Sequence, residues 1–258
     1  MPEITDYAPG TPIWVDVTVK DVDKGRRFYG DLFGWESEDG DPAFGGYTMF
    51  TKGGKLVAGI GPAMDESQPF VWSTYLATED ADKTTELVTS AGGKVLVPPM
   101  DIGDAGRMAV YADPTGAAVG VWQPDQNPGA QVANEPSTWT WSELSTRDVA
   151  AAKAFYTSAF PLTAQPAEFD PSYTTLHADG RAVAGLMTMP AAYPPQVPAH
   201  WATYFAVEDT DAAVARLTEL GGAVRQPTFD TPAGRTAVVA DPCGGVFALI
   251  AINPDMTG

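Results

Sequence analysis

The sequence predicts an α+β protein of two tandem domains. Two observations carry this: an internal repeat spans almost the whole chain, and within each repeat the order strand, helix, several strands occurs twice. The repeat is read directly. Trp14-Val-Asp16-Val-Thr-Val-Lys-Asp21 followed by Phe28-Tyr29 matches Trp141-Ser-Glu143-Leu-Ser-Thr-Arg-Asp148 followed by Phe155-Tyr156, at a constant offset of 127. Trp72-Ser-Thr-Tyr75 through Asp80 is echoed by Trp201-Ala-Thr-Tyr204 through Asp209, and Gly92-Gly93 by Gly221-Gly222. Ala105-Gly-Arg107 and Asp113-Pro-Thr-Gly116 return as Ala233-Gly-Arg235 and Asp241-Pro-Cys-Gly244. So many matches in one order are the mark of a duplication.

Alternating runs at 13–19, 73–78, 140–146 and 202–207 read as strands. Each leads to an Asp suited to cap a helix, followed by apolar residues at helical spacing: Val22, Phe28, Leu32 and Phe33 mark the first helix, Val214, Leu217 and Leu220 the last. Short β-rich runs follow each helix, split by turns such as Lys52-Gly53-Gly54 and Ala178-Asp179-Gly180. Residues 125–138, rich in Pro, Asn and Gln and without periodicity, are read as the linker between a domain at 1–124 and one at 139–258. The expected modules lie at about 11–60, 70–123, 139–187 and 199–252, with Pro-rich breaks at 61–69 and 188–198.

Composition narrows the function. Hydrophobic residues are 44% and charged residues 19%, as in ordinary globular proteins. Fifteen Lys and Arg against 33 Asp and Glu give a net charge of −18, which repels nucleic acid and anionic membranes, so neither is an expected partner. Cys243 is the only cysteine, so no internal disulfide and no cysteine-rich zinc site can form. The N-terminal residues lack a basic stretch followed by an apolar core, and a cytoplasmic protein is expected. No Ser-His-Asp arrangement, phosphate-cradling loop or dinucleotide fingerprint is present, so no cofactor is implied.

A strand leading to Asp, a helix with Phe28-Tyr29 and then Leu32-Phe33-Gly34-Trp35, and a terminal Asp-Pro-x-Gly together resemble the vicinal oxygen chelate superfamily of glyoxalases, bleomycin-resistance proteins and dioxygenases. The two-domain form, with DIGDAGRM and DPTGAAVG, is similar to tandem glyoxalase-like proteins of mycobacteria and to hydroxylase-named relatives in actinomycetes. The resemblance implies glyoxalase-like domains of paired βαβββ modules, each forming a cup-shaped mixed sheet with its ligand inside. It also implies where metal ligands stand in metal-using members. Those positions here are Trp14, Ser73 and Gly120 in the first half and Trp141, Ala202 and Ala248 in the second, none of them a ligand. No metal is therefore expected. His177, beside a turn, and His200, just before a strand, are read as surface or structural residues.

Strand alternation in register with those positions gives the residues expected to face the cups. They are Trp14, Asp16, Thr18, Ser73, Tyr75, Met108, Val110 and Trp122 in the first half, and Trp141, Glu143, Ser145, Tyr204 and Val238 in the second. Two readings of Asp16 and Glu143 are open: each binds a hydrogen-donating group or acts as a general base, or each accepts hydrogen bonds that secure the sheet. The aromatic residues are either a stacking surface for a flat ligand or plain core. Arg107 and Arg235 fall off the cup face and are expected to form ion pairs. Cys243 has no recognisable helix terminus or His beside it and is read as inert.

The leading expectation is metal-independent binding of a small apolar or aromatic molecule, such as a natural product, for sequestration, resistance or an accessory biosynthetic step, by a monomer or homodimer. The alternatives are a cofactorless isomerase, lyase or hydroxylase-type enzyme with Asp16 or Glu143 as base, a metal-dependent glyoxalase or dioxygenase using non-standard ligands, and a protein-interaction module.

Overall fold

The structure, a computed structural model, describes residues 4–40, 45–63 and 68–253. The first half runs β1 (Pro12–Val19), α1 (Val22–Phe33), β2 (Glu36–Ser37), β3 (Thr48–Lys52), β4 (Lys55–Pro62), β5 (Trp72–Ala77), α2 (Ala81–Ser90), β6 (Lys94–Ile102), β7 (Gly106–Ala112) and β8 (Ala118–Pro124). The second repeats the order as β9 (Thr138–Thr146), α3 (Val149–Ala159), β10 (Thr163–Pro166), β11 (Thr174–Ala178), β12 (Arg181–Thr188), β13 (His200–Ala206), α4 (Thr210–Glu219), β14 (Ala223–Thr231), β15 (Gly234–Ala240) and β16 (Val246–Ile252). His200 thus opens a strand instead of preceding it. No described helix is long and apolar enough to cross a membrane.

All four helices begin where the sequence places them. Asp21, Asp80, Asp148 and Asp209 accept the backbone N–H three residues on, at 2.9, 2.9, 2.9 and 3.0 Å, satisfying an amide that the first turn leaves unpaired. Helix α1 closes on Gly34, whose φ of 72° is the left-handed conformation that glycine adopts without strain.

Each half forms one eight-stranded mixed sheet, ordered β2-β3-β4-β1-β5-β8-β7-β6 and β10-β11-β12-β9-β13-β16-β15-β14. Neighbouring modules join at its centre, where β1 runs antiparallel to β5 and β9 to β13. The pairing that sequence leaves open is therefore within each half. Alternation sends Val15, Val17 and Val19, all fully buried, to the helix-bearing face, and Trp14, Asp16 and Thr18 to the other.

The helix-bearing faces pack against each other, so both hydrophobic cores mix the two halves. One joins Phe28, Tyr29, Trp35 and Trp72 to Phe205, Leu217 and Phe247; the other joins Val88, Tyr111 and Val119 to Phe155, Tyr156 and Trp201. Reciprocal hydrogen bonds lock the junction. Tyr29 donates to Asp241 Oδ2 at 2.7 Å and accepts from Trp72 Nε1 at 3.0 Å; Tyr156 donates to Asp113 Oδ2 at 3.1 Å and accepts from Trp201 Nε1 at 2.9 Å. The other oxygen of each Asp ties its own turn, Asp113 to the amides of Thr115 and Ala117, Asp241 to those of Cys243 and Gly245.

The segment after β8 is packed down. Ala130 is fully buried, its amide on the Ile13 carbonyl at 2.9 Å, and Trp122 and Trp35 donate to the carbonyls of Asn127 and Ser137. Arg107 bridges Asp82 and Asp101, and Arg235 bridges Asp211 and Asp230, as expected of ion-pair formers. One expectation is corrected: Cys243 does lie beside a helix terminus, close to Asp21 and Lys24 at the start of α1. Burial, and then the Asp241 charge, still push the thiol up, which keeps it protonated.

Candidate functional site

Register across the first sheet sorts its open face into rows. Met49, Gly59, Asp16 and Ser73 form one, across β3, β4, β1 and β5. Trp14, Tyr75, Gly120, Val110 and Val97 form the next, and Trp122, Met108 and Met100 a third. The second sheet gives Gly185, Glu143 and Ala202, then Trp141, Tyr204, Ala248 and Val238, then Ile250, Thr236 and Phe229. Every predicted cup residue therefore sits on the predicted face. Thr18 and Ser145 stand one inward step beyond the carboxylates, and His200 faces Ser145 directly.

At the centre of each cup the structure assembles the same group. Tyr47 donates to Asp16 Oδ2 at 3.2 Å and accepts from Trp14 Nε1 at 2.9 Å, and Ser73 and Tyr75 stand on the same face of the neighbouring strand, where their hydroxyls favour the charged carboxylate. Tyr173 donates to Glu143 Oε2 at 2.6 Å and accepts from Trp141 Nε1 at 3.0 Å, while Tyr204 donates to Oε1 at 2.9 Å. Loss of water around the buried carboxylates outweighs these bonds. Asp16 is raised to about 6, and Glu143 is raised as well, opposed by its two tyrosines and by nearby His200. Burial and the adjacent carboxylate drive Tyr47, Tyr75, Tyr173 and Tyr204 well above the ordinary phenol range, so all four remain hydroxyl donors.

Tyr47 and Tyr173 are functional candidates that the strand reading missed, because both precede their strands and alternation assigns them no face. A signal was present: they stand 126 residues apart, as do Gly59 and Gly185. Those glycines make room for them, since a Cβ at either would lie 1.8 Å from the tyrosine oxygen. Met49 and Met100, exposed on the first cup, were missed for want of register.

The chain matches the family described as Glyoxalase/Bleomycin resistance protein/Dioxygenase superfamily twice, over residues 11–121 and 139–249. It belongs to that superfamily. A relative carrying a glyoxylase name, CFP32 of Mycobacterium tuberculosis, is 41% identical, with 98% of this chain and 99% of the relative covered. The anthracycline biosynthesis protein DnrV of Streptomyces peucetius is 40% identical over 97% of this chain and 96% of its own length. Among solved structures, the Mn(II)-bound glyoxalase of Novosphingobium aromaticivorans superposes with a TM-score of 0.65 at 17% identity, covering 97% and 86% of the two chains. The 2,3-dioxygenase LapB of Pseudomonas sp. KL28 gives 0.65 at 14%, covering 98% and 96%. At these identities the two structures attest the fold.

Superfamily members of this kind raise the question of a metal, and the donor set here does not fit one. A divalent ion needs several converging N or O side chains. Among the described residues no three His, Cys, Asp or Glu side chains form such a group. The neighbours of Asp16 across the strands are Gly59 and Ser73, those of Glu143 are Gly185 and Ala202, and both carboxylates are already engaged by tyrosine hydroxyls.

Proposed function

We propose that the protein binds a small, largely apolar aromatic molecule in one or both cups without a metal ion, and serves an accessory step of small-molecule biosynthesis, or sequestration and resistance. The observation that carries this reading is the repeated group of Trp, two Tyr and one carboxylate on the open face of each sheet. In the first cup, apolar Met49, Met100, Met108, Val110 and Trp122 surround it. Aromatic rings and thioethers give a flat ligand a large contact area at low entropic cost, and the carboxylate fixes its orientation through one hydrogen bond. The similarity to DnrV, an anthracycline biosynthesis protein by name, supports a polycyclic aromatic as the ligand class.

Native mass spectrometry of the intact chain purified without chelator tests this reading. A bare chain, or one carrying an organic mass, agrees with it; one stoichiometric divalent ion per chain overturns it.

A second reading has its own observation. With its carboxyl raised to about 6, Asp16 is a better base near neutral pH than an ordinary aspartate, and could take a proton from a bound substrate. Asp16→Asn and Glu143→Gln separate the two. A binder loses affinity modestly, whereas a proton-transfer enzyme loses turnover by about two orders of magnitude or more.

A further inference from the structure

The two cups carry matching parts but close on them differently. In the second, both oxygens of Glu143 are taken, Oε2 by Tyr173 and Oε1 by Tyr204. In the first, Tyr47 reaches Oδ2 of Asp16 at 3.2 Å, and among the described residues no donor reaches Oδ1. Aspartate is one methylene shorter than glutamate. Tyr75, the register partner of Trp14 as Tyr204 is of Trp141, therefore stops short of the carboxylate that Tyr204 meets. Ser73, directly across from Asp16, also stands close without completing a hydrogen bond, and its counterpart across from Glu143 is Ala202.

These unpaired atoms are open to solvent. Among the described residues, the side-chain polar atoms that are both sealed from solvent and without a partner are Arg107 Nε and Thr203 Oγ1. Asp16 Oδ1 and the hydroxyls of Ser73 and Tyr75 have no hydrogen-bond partner either, yet they are not among the sealed atoms, so each can be reached from the cup. The apolar surroundings differ in the same sense. Met49 and Met100 are 38% and 45% exposed on the first cup's face, and Met108 is half-buried. The same places in the second sheet hold Thr175, Phe229 and Thr236, and both threonines are buried. Thioethers offer a flexible, polarisable surface against which a flat ring packs well.

We infer that the first cup is the working site and anchors an aromatic ligand by one hydroxyl group, held jointly by Asp16, Ser73 and Tyr75. The ligand hydroxyl donates to Oδ1 of Asp16 and accepts from Tyr75 or Ser73, a pairing that a hydroxyl satisfies and an ether does not. The apolar body of the ligand lies against Met49, Met100 and Met108. The second cup, its carboxylate closed by two tyrosines, is the structural member of the pair. This rests on the aromatic-binding reading above and adds to it the cup, the anchoring group and roles for Ser73 and Tyr75.

The test is isothermal titration calorimetry of the full chain with 2-naphthol and its methyl ether as probes, at about pH 7.5, where Asp16 is ionised and a phenol keeps its proton. One naphthol should bind per chain, with the ether weaker by about tenfold or more, the value of a hydrogen bond to a charged acceptor. Tyr75→Phe keeps the ring and its packing while removing the hydroxyl, and Ser73→Ala removes the other. Each should weaken the naphthol by about threefold or more, and the ether by less. Asp16→Glu keeps the charge but adds the methylene that lets Tyr75 close on it as Tyr204 closes on Glu143, so it should weaken the naphthol as strongly as Asp16→Asn. Glu143→Gln should cost clearly less affinity than Asp16→Asn. The reverse order places the ligand in the second cup and overturns this inference while leaving aromatic binding intact. Equal affinity of the native chain for the two probes, or an Asp16→Glu chain that binds naphthol as the native one does, overturns the hydroxyl anchor. No binding of either probe by the native chain overturns the aromatic-binding reading and this inference with it.

Discussion

Asp16 shows how a single side chain can be both held and strained by its surroundings. It is 9% exposed and hydrogen-bonded by Tyr47, yet the water lost on burial leaves its carboxyl at about 6. The unfolded chain would hold it at about 3.9. The folded state therefore binds this proton more tightly than the unfolded one. The stability the group contributes is complete below about pH 4 and is lost as pH rises through about 6, a difference of up to about 3 kcal/mol. Asp16→Asn removes the titration while keeping the size and one accepting oxygen. Relative to the native chain, its stability should improve by an increasing margin as pH rises from about 4 to about 7, and urea unfolding across that range measures the margin. A margin that does not change with pH would show that Asp16 ionises normally. That Asp16 and Glu143 face the cups was legible in the sequence, because a strand period of two needs only one known position to phase it. What stands around them was not: Tyr47 and Tyr173 reach the carboxylates from outside the strands.

At the scale of the element, the helices were the most legible parts. An aspartate at each N-cap and an apolar stripe are local signals, and both are decided within a few residues. Register is different, since it pairs residues distant in sequence. Gly59 reads as a weak point in a strand until β1 and β4 are set side by side. It then becomes the place where Tyr47 lies over the sheet. The same holds for Gly185 beneath Tyr173. Gly185→Ala puts a methyl where the tyrosine oxygen sits, so Tyr173 must leave Glu143 or the strand must shift. The expected cost is about 1–3 kcal/mol, from overpacking and a lost hydrogen bond to a charged acceptor, read as a lower guanidinium midpoint. Gly180→Ala is the reference: its φ of 77° strains any side chain, yet a Cβ there meets nothing. If Gly185→Ala costs no more than Gly180→Ala, the glycine is not needed to seat Tyr173.

At the scale of the whole molecule, duplication explains which motifs recur. Phe-Tyr on the first helix of each half and Asp-Pro-x-Gly near its end repeat because they meet across the junction, each half presenting a tyrosine to the other's aspartate. The repeat itself was plain in the sequence, but the docking was not. A turn that satisfies its own amides gives no sign that its second oxygen serves another domain. Because each core draws residues from both halves, neither half keeps an intact core without the other, and the chain should unfold as one cooperative unit. Tyr156→Phe removes the hydroxyl that Asp113 accepts from and Trp201 donates to, leaving both buried partners unsatisfied at a cost of about 1–3 kcal/mol. Differential scanning calorimetry should show a single transition in native and variant chains, displaced downward as a whole in the variant. Tyr29→Phe, the reciprocal change, should displace the same transition. If the native endotherm resolves into two, and each substitution moves a different one, the halves are energetically separate domains and the junction is a contact without coupling.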